Sequence, residues 1–254
     1  MKNYDRLATL IDRFQLGFIQ TSPKDANLVV LSCDDQATLD RAIFAPVRTA
    51  FNFDPERIVL CAMVDWQGSE NPLMKALPAV VELELTEDSE TTNLITMMMD
   101  EVENQRCGMS SVLNRLGEIL IIRMMRVQIA VGSTLPGLLA GLSDQKLSKA
   151  IVAMHDNPGR DWRNDHLAQI AGMSLSRFAE VFLSKVGEPP ASYLRKWRLT
   201  LARQDLEKGL RVETVARKYG FNSTAGFTRA FKKRHFLTPI EMRNRGAIKV
   251  DKTE

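Results

Sequence analysis

The sequence predicts an α+β chain of two domains. Short strands and then a helical pair fill the N-terminal half, and an all-α C-terminal half carries two helix-turn-helix motifs joined by a linker helix. Three observations carry this reading. Early apolar residues come in short runs, those after Ser89 recur at three- and four-residue spacing, and the C-terminal part contains an internal repeat. The chain has 254 residues, against a usual domain of ~150.

Taken in order, Asn27 to Ser32, Arg57 to Val64 and Ala79 to Leu85 are rich in Val, Leu and Ile and are bounded by Pro, Asp or Asn, which reads as strands. Leu94, Ile95, Met98 and Val102 mark one helix, and Val112, Leu113, Leu116, Leu120, Met124 and Val127 mark a second, with Asn104 to Gly108 between them. Gly132 to Gly141 holds three Gly, a Pro and a Ser, a linker composition. The expected organisation is a domain at 1–131, a linker at 132–146, a second domain at 147–246 and a tail at 247–254.

The net charge of +3 hides a division. Residues 1–145 hold 12 Lys and Arg against 20 Asp and Glu, and residues 146–254 hold 22 against 11, so a net −8 module precedes a net +11 one. A basic module is the electrostatic footprint of a polyanion partner. The start, MKNYDRLATLIDRF, is charged every few residues, and the apolar stretch Ile119 to Val131 is broken by Arg123 and Arg126. These features predict a cytoplasmic protein without a membrane partner.

The repeat aligns LAQIAGMS from Leu167 with VARKYGFNS from Val215. Phe178 and Phe182 then correspond to Phe227 and Phe231, and Pro190 to Pro239. Ala168 and Ala216 each stand four residues before a Gly, and the second copy has one extra residue in its turn. Physically, a small Ala lets two helices cross closely, the Gly ends the first helix in the left-handed region, and Ser174 or Ser223 caps the second. The Phe pair buries one face of that second helix and leaves the other free for a major groove. Between the copies, Ala191 to Lys208 reads as one helix of roughly 27 Å, able to hold two such helices toward successive grooves.

From about Lys149 to Arg245 the chain resembles the DNA-binding domain of bacterial AraC/XylS transcription regulators. The resemblance rests on LAQIAGMS, FAEVF, the segment from Pro190 to Arg195, Arg198 and Ala202, VARKYGFNSTAGFTRAFKKR and TPIEMR. It implies base-facing roles for Ser176, Arg177, Ala179 and Glu180 in the first unit and for Thr224, Ala225, Thr228 and Arg229 in the second. Arg195, Lys196, Arg198, Lys232, Lys233 and Arg234 are expected to contact phosphates. One departure stands out: Phe236 occupies the position that Gly187 holds in the first copy.

The acidic half resembles the cupin-like domain of one branch of these regulators, best from Pro55 to about Val131, through PERIVLCAMVDW, NPLMKALPAVVEL and GMSSVLNRLGEILIIRMMR. It is expected to be a diverged barrel, since residues 1–54 contain only Gly17 and lack a Pro-x-x-x-His segment. All three His lie at or beyond His155, so no metal cupin, cofactor or catalytic residue is expected. The resemblance implies double-stranded DNA and RNA polymerase as partners, a small-molecule effector or redox signal at the first domain, a candidate homodimer, and activation as the commoner mode. Cys107, beside Arg106, is the candidate redox sensor, while Cys61 in VLCAMV reads as core. Met97 to Met99 with Met124 and Met125 read mainly as packing within the domain.

Two rival readings exist. A DNA-repair methyltransferase with this module would need several cysteines near the N-terminus, and only Cys33 lies in the first 60 residues. A protein-interaction adaptor with degenerate helix-turn-helix units is suggested by Glu180 and Phe236 alone.

Overall fold

A computed structural model describes residues 5–33, 38–47, 51, 53–66, 71–132 and 136–250, with the side chains of 247–250 left out. The chain divides into two compact units, one of residues 14–134 and the other of residues 1–13 together with 135–254.

The first unit is built on a five-stranded antiparallel sheet of order β1-β4-β2-β3-β5. Its strands are β1 (Gly17–Gln20), β2 (Leu28–Ser32), β3 (Leu39–Phe44), β4 (Ile58–Asp65) and β5 (Val81–Glu84). The runs at 27–32, 57–64 and 79–85 are β2, β4 and β5. The strands β1 and β3 escaped the sequence reading because GFIQ is short and LDRAIF carries Asp40 and Arg41. In β3 those charges are accommodated: Arg57 donates to Asp40 at 2.8 Å, and Arg41 lies 3.5 Å from Glu82 of the adjoining strand.

All five residues of β2 are buried, which is why it reads as a continuous apolar run and not an alternating one. At its entry Asn27 acts as an extra peptide unit, its amide donating to the Val64 carbonyl at 2.9 Å while its oxygen accepts the Val64 N–H at 2.7 Å. After a short helix α2 (Pro72–Ala76) and β5 come the two long helices α3 (Ser89–Asn104) and α4 (Met109–Val131). Gly117 brings α4 against β1, since a Cβ there would run into the Phe18 ring, and Asn114 accepts the Phe18 N–H at 2.6 Å. Arg123, the charge that interrupts the greasiest stretch, ties α4 to the start of α3: it donates to Thr91 at 2.5 Å, Glu90 at 2.9 Å and Asp88 at 3.0 Å. Met98, Met124 and Met125 are buried, and Met97 is exposed.

The second unit is helical. It contains α1 (Ala8–Arg13) from the start of the chain, then α5 (Leu138–Ser143), α6 (Leu147–Asp156), α7 (Asn164–Ala171), α8 (Leu175–Val186), α9 (Pro190–Glu207), α10 (Val212–Lys218), α11 (Thr224–His235) and α12 (Pro239–Val250).

Two features depart from the expected organisation. Residues 138–143, expected within the linker, form α5, because Leu138, Leu139 and Leu142 are buried and Gly141 lies close against Ile151 and Val186. Composition alone could not show that Gly141 serves packing. Residues 5–13, expected with the first domain, are held by the second unit. Arg6 donates to the Leu142 carbonyl at 2.7 Å, Thr9 donates to Asp156, and Gln204 donates to the Arg13 carbonyl at 3.0 Å, while Leu7 and Leu10 are buried. Leu10→Ala should therefore cost about 2–5 kcal/mol in a chemical denaturation of the full chain, read on the cooperative loss of helical signal.

Candidate nucleic-acid interface

Each half of the repeat folds into a helix-turn-helix by the same local chemistry. In the first, α7 ends at Gly172 (φ 61°), whose N–H reaches the Gln169 carbonyl at 3.0 Å while Met173 N–H returns to Ala168 at 2.9 Å. In the second, Gly220 (φ 68°) reaches Arg217 at 3.1 Å and Phe221 N–H returns to Ala216 at 3.0 Å. Both Ala are buried, so the helices cross where a larger side chain would separate them. Ser174 caps α8 by accepting the Arg177 N–H at 3.4 Å, and Ser223 caps α11 by accepting that of Gly226 at 3.1 Å.

The Phe residues lie on the buried faces of these second helices. Phe178 and Phe182 have ring centroids 5.6 Å apart, Phe227 and Phe231 5.5 Å, and all four are fully buried. The residues assigned to base contact occupy the other side. Ser176, Arg177, Glu180, Thr224, Ala225 and Arg229 are exposed, and Ala179 and Thr228 are half-buried.

The two faces differ in charge. On α8, Arg177 is paired with Glu180 at 3.0 Å, which leaves little net positive charge near the start of the helix. On α11, Arg229, Lys232 and Lys233 are exposed, and none makes an ion pair with a described residue.

The six side chains assigned to phosphates fall into distinct environments. Arg195, Lys232 and Lys233 project into solvent. Lys196 is exposed but paired with Glu188 at 2.8 Å, and Arg234 is half-buried with Nη2 3.3 Å from the Thr200 hydroxyl. Arg198 differs most: its Nε donates to the Pro158 carbonyl at 2.6 Å and its Nη2 to the Arg160 carbonyl at 2.8 Å. Burial lowers its pKa from the usual arginine value. Its guanidinium is thus committed to the protein backbone, which the basic run RKWR could not reveal.

Two buried polar ties that the sequence reading missed join α9 to its neighbours. His155 of α6 shares a 2.5 Å hydrogen bond with the Tyr193 hydroxyl and packs 4.5 Å from the Trp197 ring. Near the other end of the helix, the buried Asp205 accepts from the Tyr219 hydroxyl and from Lys218, both at 2.7 Å. An Asp set among Leu201, Ala202 and Leu206 on a helical stripe was the available signal.

The last turn of α11 keeps the geometry of its counterpart despite the sequence difference. Gly187 (φ 84°, ψ 2°) and Phe236 (φ 60°, ψ 9°) both end their helices in the left-handed region, each with its N–H 2.9 Å from the carbonyl four residues back. The Phe236 side chain is 87% exposed, so little packing offsets the strain of that backbone.

The thiols are placed as follows. Cys61 donates to the Thr21 carbonyl at 2.8 Å, and burial pushes its pKa up, away from thiolate character. Cys33 is half-buried. Cys107 is exposed, but the adjacent Arg106 guanidinium is engaged by Asp100 at 2.7 Å. Among the described residues no cluster of His, Cys, Asp or Glu could hold a metal ion, and no helix is long and apolar enough to cross a membrane.

Two stability predictions follow from these local environments. Phe236→Gly should raise the stability of the second unit by about 1 kcal/mol in denaturant unfolding, because relief of left-handed strain exceeds the entropy glycine adds to the unfolded chain. Burial depresses the His155 pKa from 6.5 to about 3. The neutral ring therefore contributes its full stability above pH 6.5, and that stability is lost as pH falls toward 3, because the unfolded chain takes up a proton the folded one refuses. Between pH 7 and pH 5 this histidine should account for a loss of about 2 kcal/mol, and His155→Gln should flatten the dependence in parallel urea titrations.

Residues 167–245 match a helix-turn-helix domain family, and residues 19–130 match a cupin family, which carries the N-terminal resemblance upstream of Pro55 to include β1, β2 and β3. Among curated proteins, the HTH-type transcriptional regulator AlkR of Acinetobacter baylyi is 33% identical over 178 residues, covering 68% of this chain and 58% of AlkR. The RCS-specific HTH-type transcriptional activator RclR of Escherichia coli is 28% identical over 192 residues, covering 74% of this chain and 68% of that protein. A solved AraC-type DNA-binding domain protein from Chromobacterium violaceum is 27% identical, covering 40% of this chain and 92% of that chain, with a TM-score of 0.38. The chain spans somewhat over half the length of several curated relatives, 58% in the case of AlkR. With a cupin region followed by a duplicated helix-turn-helix, the chain is similar to transcription regulators of the AraC-like type.

Proposed function

We propose that the protein is a sequence-specific regulator of transcription whose second unit binds duplex DNA through α8 and α11. The observation that carries the reading is the duplication itself. Two second helices, each capped by a Ser and anchored by a buried Phe pair, expose their remaining faces from one 18-residue helix, α9. An exposed helix of this kind fits a major groove, and two on one rod suit adjacent grooves on one face of a duplex.

The charge distribution divides the labour. In α11, Arg229 suits bidentate hydrogen bonding to guanine, and Thr224 and Thr228 suit thymine or a polar base edge. Lys232 and Lys233, exposed near the end of α11, suit neutralisation of phosphates, with Arg195 on the linker helix. In α8 the Arg177–Glu180 pair presents a donor and an acceptor together, so this unit contributes selectivity with little electrostatic affinity. The two features that suggested an adaptor are thereby accommodated: Glu180 is neutralised by Arg177, and Phe236 leaves the turn intact.

The cupin domain supplies the signal and the self-association in this reading. A small molecule is the favoured effector, since the half-buried Cys61 donates to the Thr21 carbonyl and the cation beside Cys107 is engaged by Asp100. The alternative, a redox signal, would act at the exposed Cys107. Activation through contact with RNA polymerase is the mode proposed, with a homodimer as the bound form.

Purified protein with genomic fragments, at defined salt, should select a site on which footprinting shows two adjacent protected grooves. Arg229→Ala should relax preference at its contacted position by about 1–3 kcal/mol, while Lys233→Ala should weaken all duplexes and lower the slope of log affinity against log salt by about 1. Unchanged selectivity in the first variant and an unchanged slope in the second would refute the groove assignment. Cys107→Ser should release DNA on oxidation as the wild type does if the effector is a small molecule, and should resist release if the signal is redox.

A further inference from the structure

The loop between α6 and α7 touches the turn between α10 and α11 without any intervening side chain. Gly159 sits on the end of α10, where a Cβ would run into the Lys218 carbonyl oxygen. In the reverse direction a Cβ on Gly220 would lie 2.6 Å from the Gly159 carbonyl oxygen and 3.2 Å from Nη2 of Arg198. Arg198 stands at the middle of α9, between the two helix-turn-helix units, and its fork closes over the Pro158 and Arg160 carbonyls at 2.6 and 2.8 Å.

The loop is itself stiff. Trp162 donates to the Asn157 carbonyl at 2.8 Å, the Arg160 N–H reaches the same carbonyl at 3.2 Å, and the Arg160 guanidinium lies 4.5 Å over the Trp162 ring. Backbone-to-backbone packing of this kind has no rotamers to absorb a displacement, so any swing of one unit about α9 must break it.

We propose that the Gly159–Gly220 contact, closed by Arg198, is a brace that fixes the offset between the two recognition helices and so makes the spacing of the two half-sites in DNA a specificity determinant. This rests on the reading that α8 and α11 enter adjacent grooves. Arg198 is then a positioning residue, acting through the loop and not through phosphate. One inserted base pair moves the second half-site about 3.4 Å along the duplex and about 35° around it, a change a braced pair cannot follow.

The test compares the footprinted site with a duplex carrying one extra base pair between the two protected grooves, using the full chain. Wild type should bind the lengthened site at least about tenfold more weakly. Arg198→Lys keeps the charge but not the fork, and Gly159→Ala keeps every charge and forces the backbones apart. Both should bind the original site within a few-fold of wild type and lose less than about threefold on the insertion. Each is checked by circular dichroism and melting, and where one fails to fold the other carries the comparison. Wild-type discrimination retained in the folded variants overturns the brace. So does Arg198→Ala behaving as a lost phosphate contact, with uniform weakening, a salt slope reduced by about 1 and spacing discrimination intact. A wild-type footprint covering a single groove would instead refute the two-groove reading on which the brace depends.

Discussion

The second unit depends on what α9 is made to bury. This helix is the common wall of both helix-turn-helix units, and its inward stripe carries polar groups that a purely apolar helix would lack. Tyr193 is answered by His155, Asp205 by Tyr219 and Lys218, and Arg198 by two backbone carbonyls. Each partner comes from a different neighbouring segment, so satisfying all three groups at once leaves one arrangement of those segments around the helix. Burying such groups unpaired is costly, which gives the arrangement specificity that greasy packing alone would not provide. The aromatic pairs then supply area: Phe182 lies edge-on to Tyr193 at 5.7 Å, and His155 packs on Trp197.

The sequence was most legible where a residue acts on its own backbone. The Ala, Gly and Ser positions of the repeat announced the crossing, the left-handed stop and the cap, and all three occur in both copies. The α3 and α4 helices and the break between them were equally plain, because their apolar stripes are long and regular. Legibility failed where a residue serves a distant partner. Arg198 sits in a basic run and looks like its neighbours, yet its role is set by carbonyls some forty positions away. Gly159 carries no local signature either, since the backbone it meets belongs to another part of the chain. The strands β1 and β3 were missed for a related reason: their pairing partners, not their own composition, make them strands.

The internal duplication also separates what the fold requires from what it tolerates. Both copies keep the Phe pair and the left-handed exit from the second helix, although one copy makes that exit with Gly187 and the other with Phe236. Backbone geometry is therefore imposed by the packing of α11 and α12 against α9 and not by the residue at the turn. Charge, by contrast, has drifted freely between the copies, from the neutralised start of α8 to the basic end of α11. A face that no core constrains can change its chemistry without disturbing the scaffold beneath it.

The location of α1 has a consequence for how the chain acquires its structure. Because residues 5–13 belong with the helical unit, the whole sheet domain is an insertion within that unit. The bond from Gln204 to the Arg13 carbonyl spans 191 positions, and that from Arg6 to Leu142 spans 136. At synthesis rates of about 5–20 residues per second, residues 5–13 wait roughly 10–40 s for Gln204 to be made. Throughout that interval Leu7 and Leu10 lack their final surroundings while the sheet domain can already close. Residues 5–13 thus reach their native place only after the sheet domain that follows them has been made, and the helical unit matures once Gln204 has met Arg13.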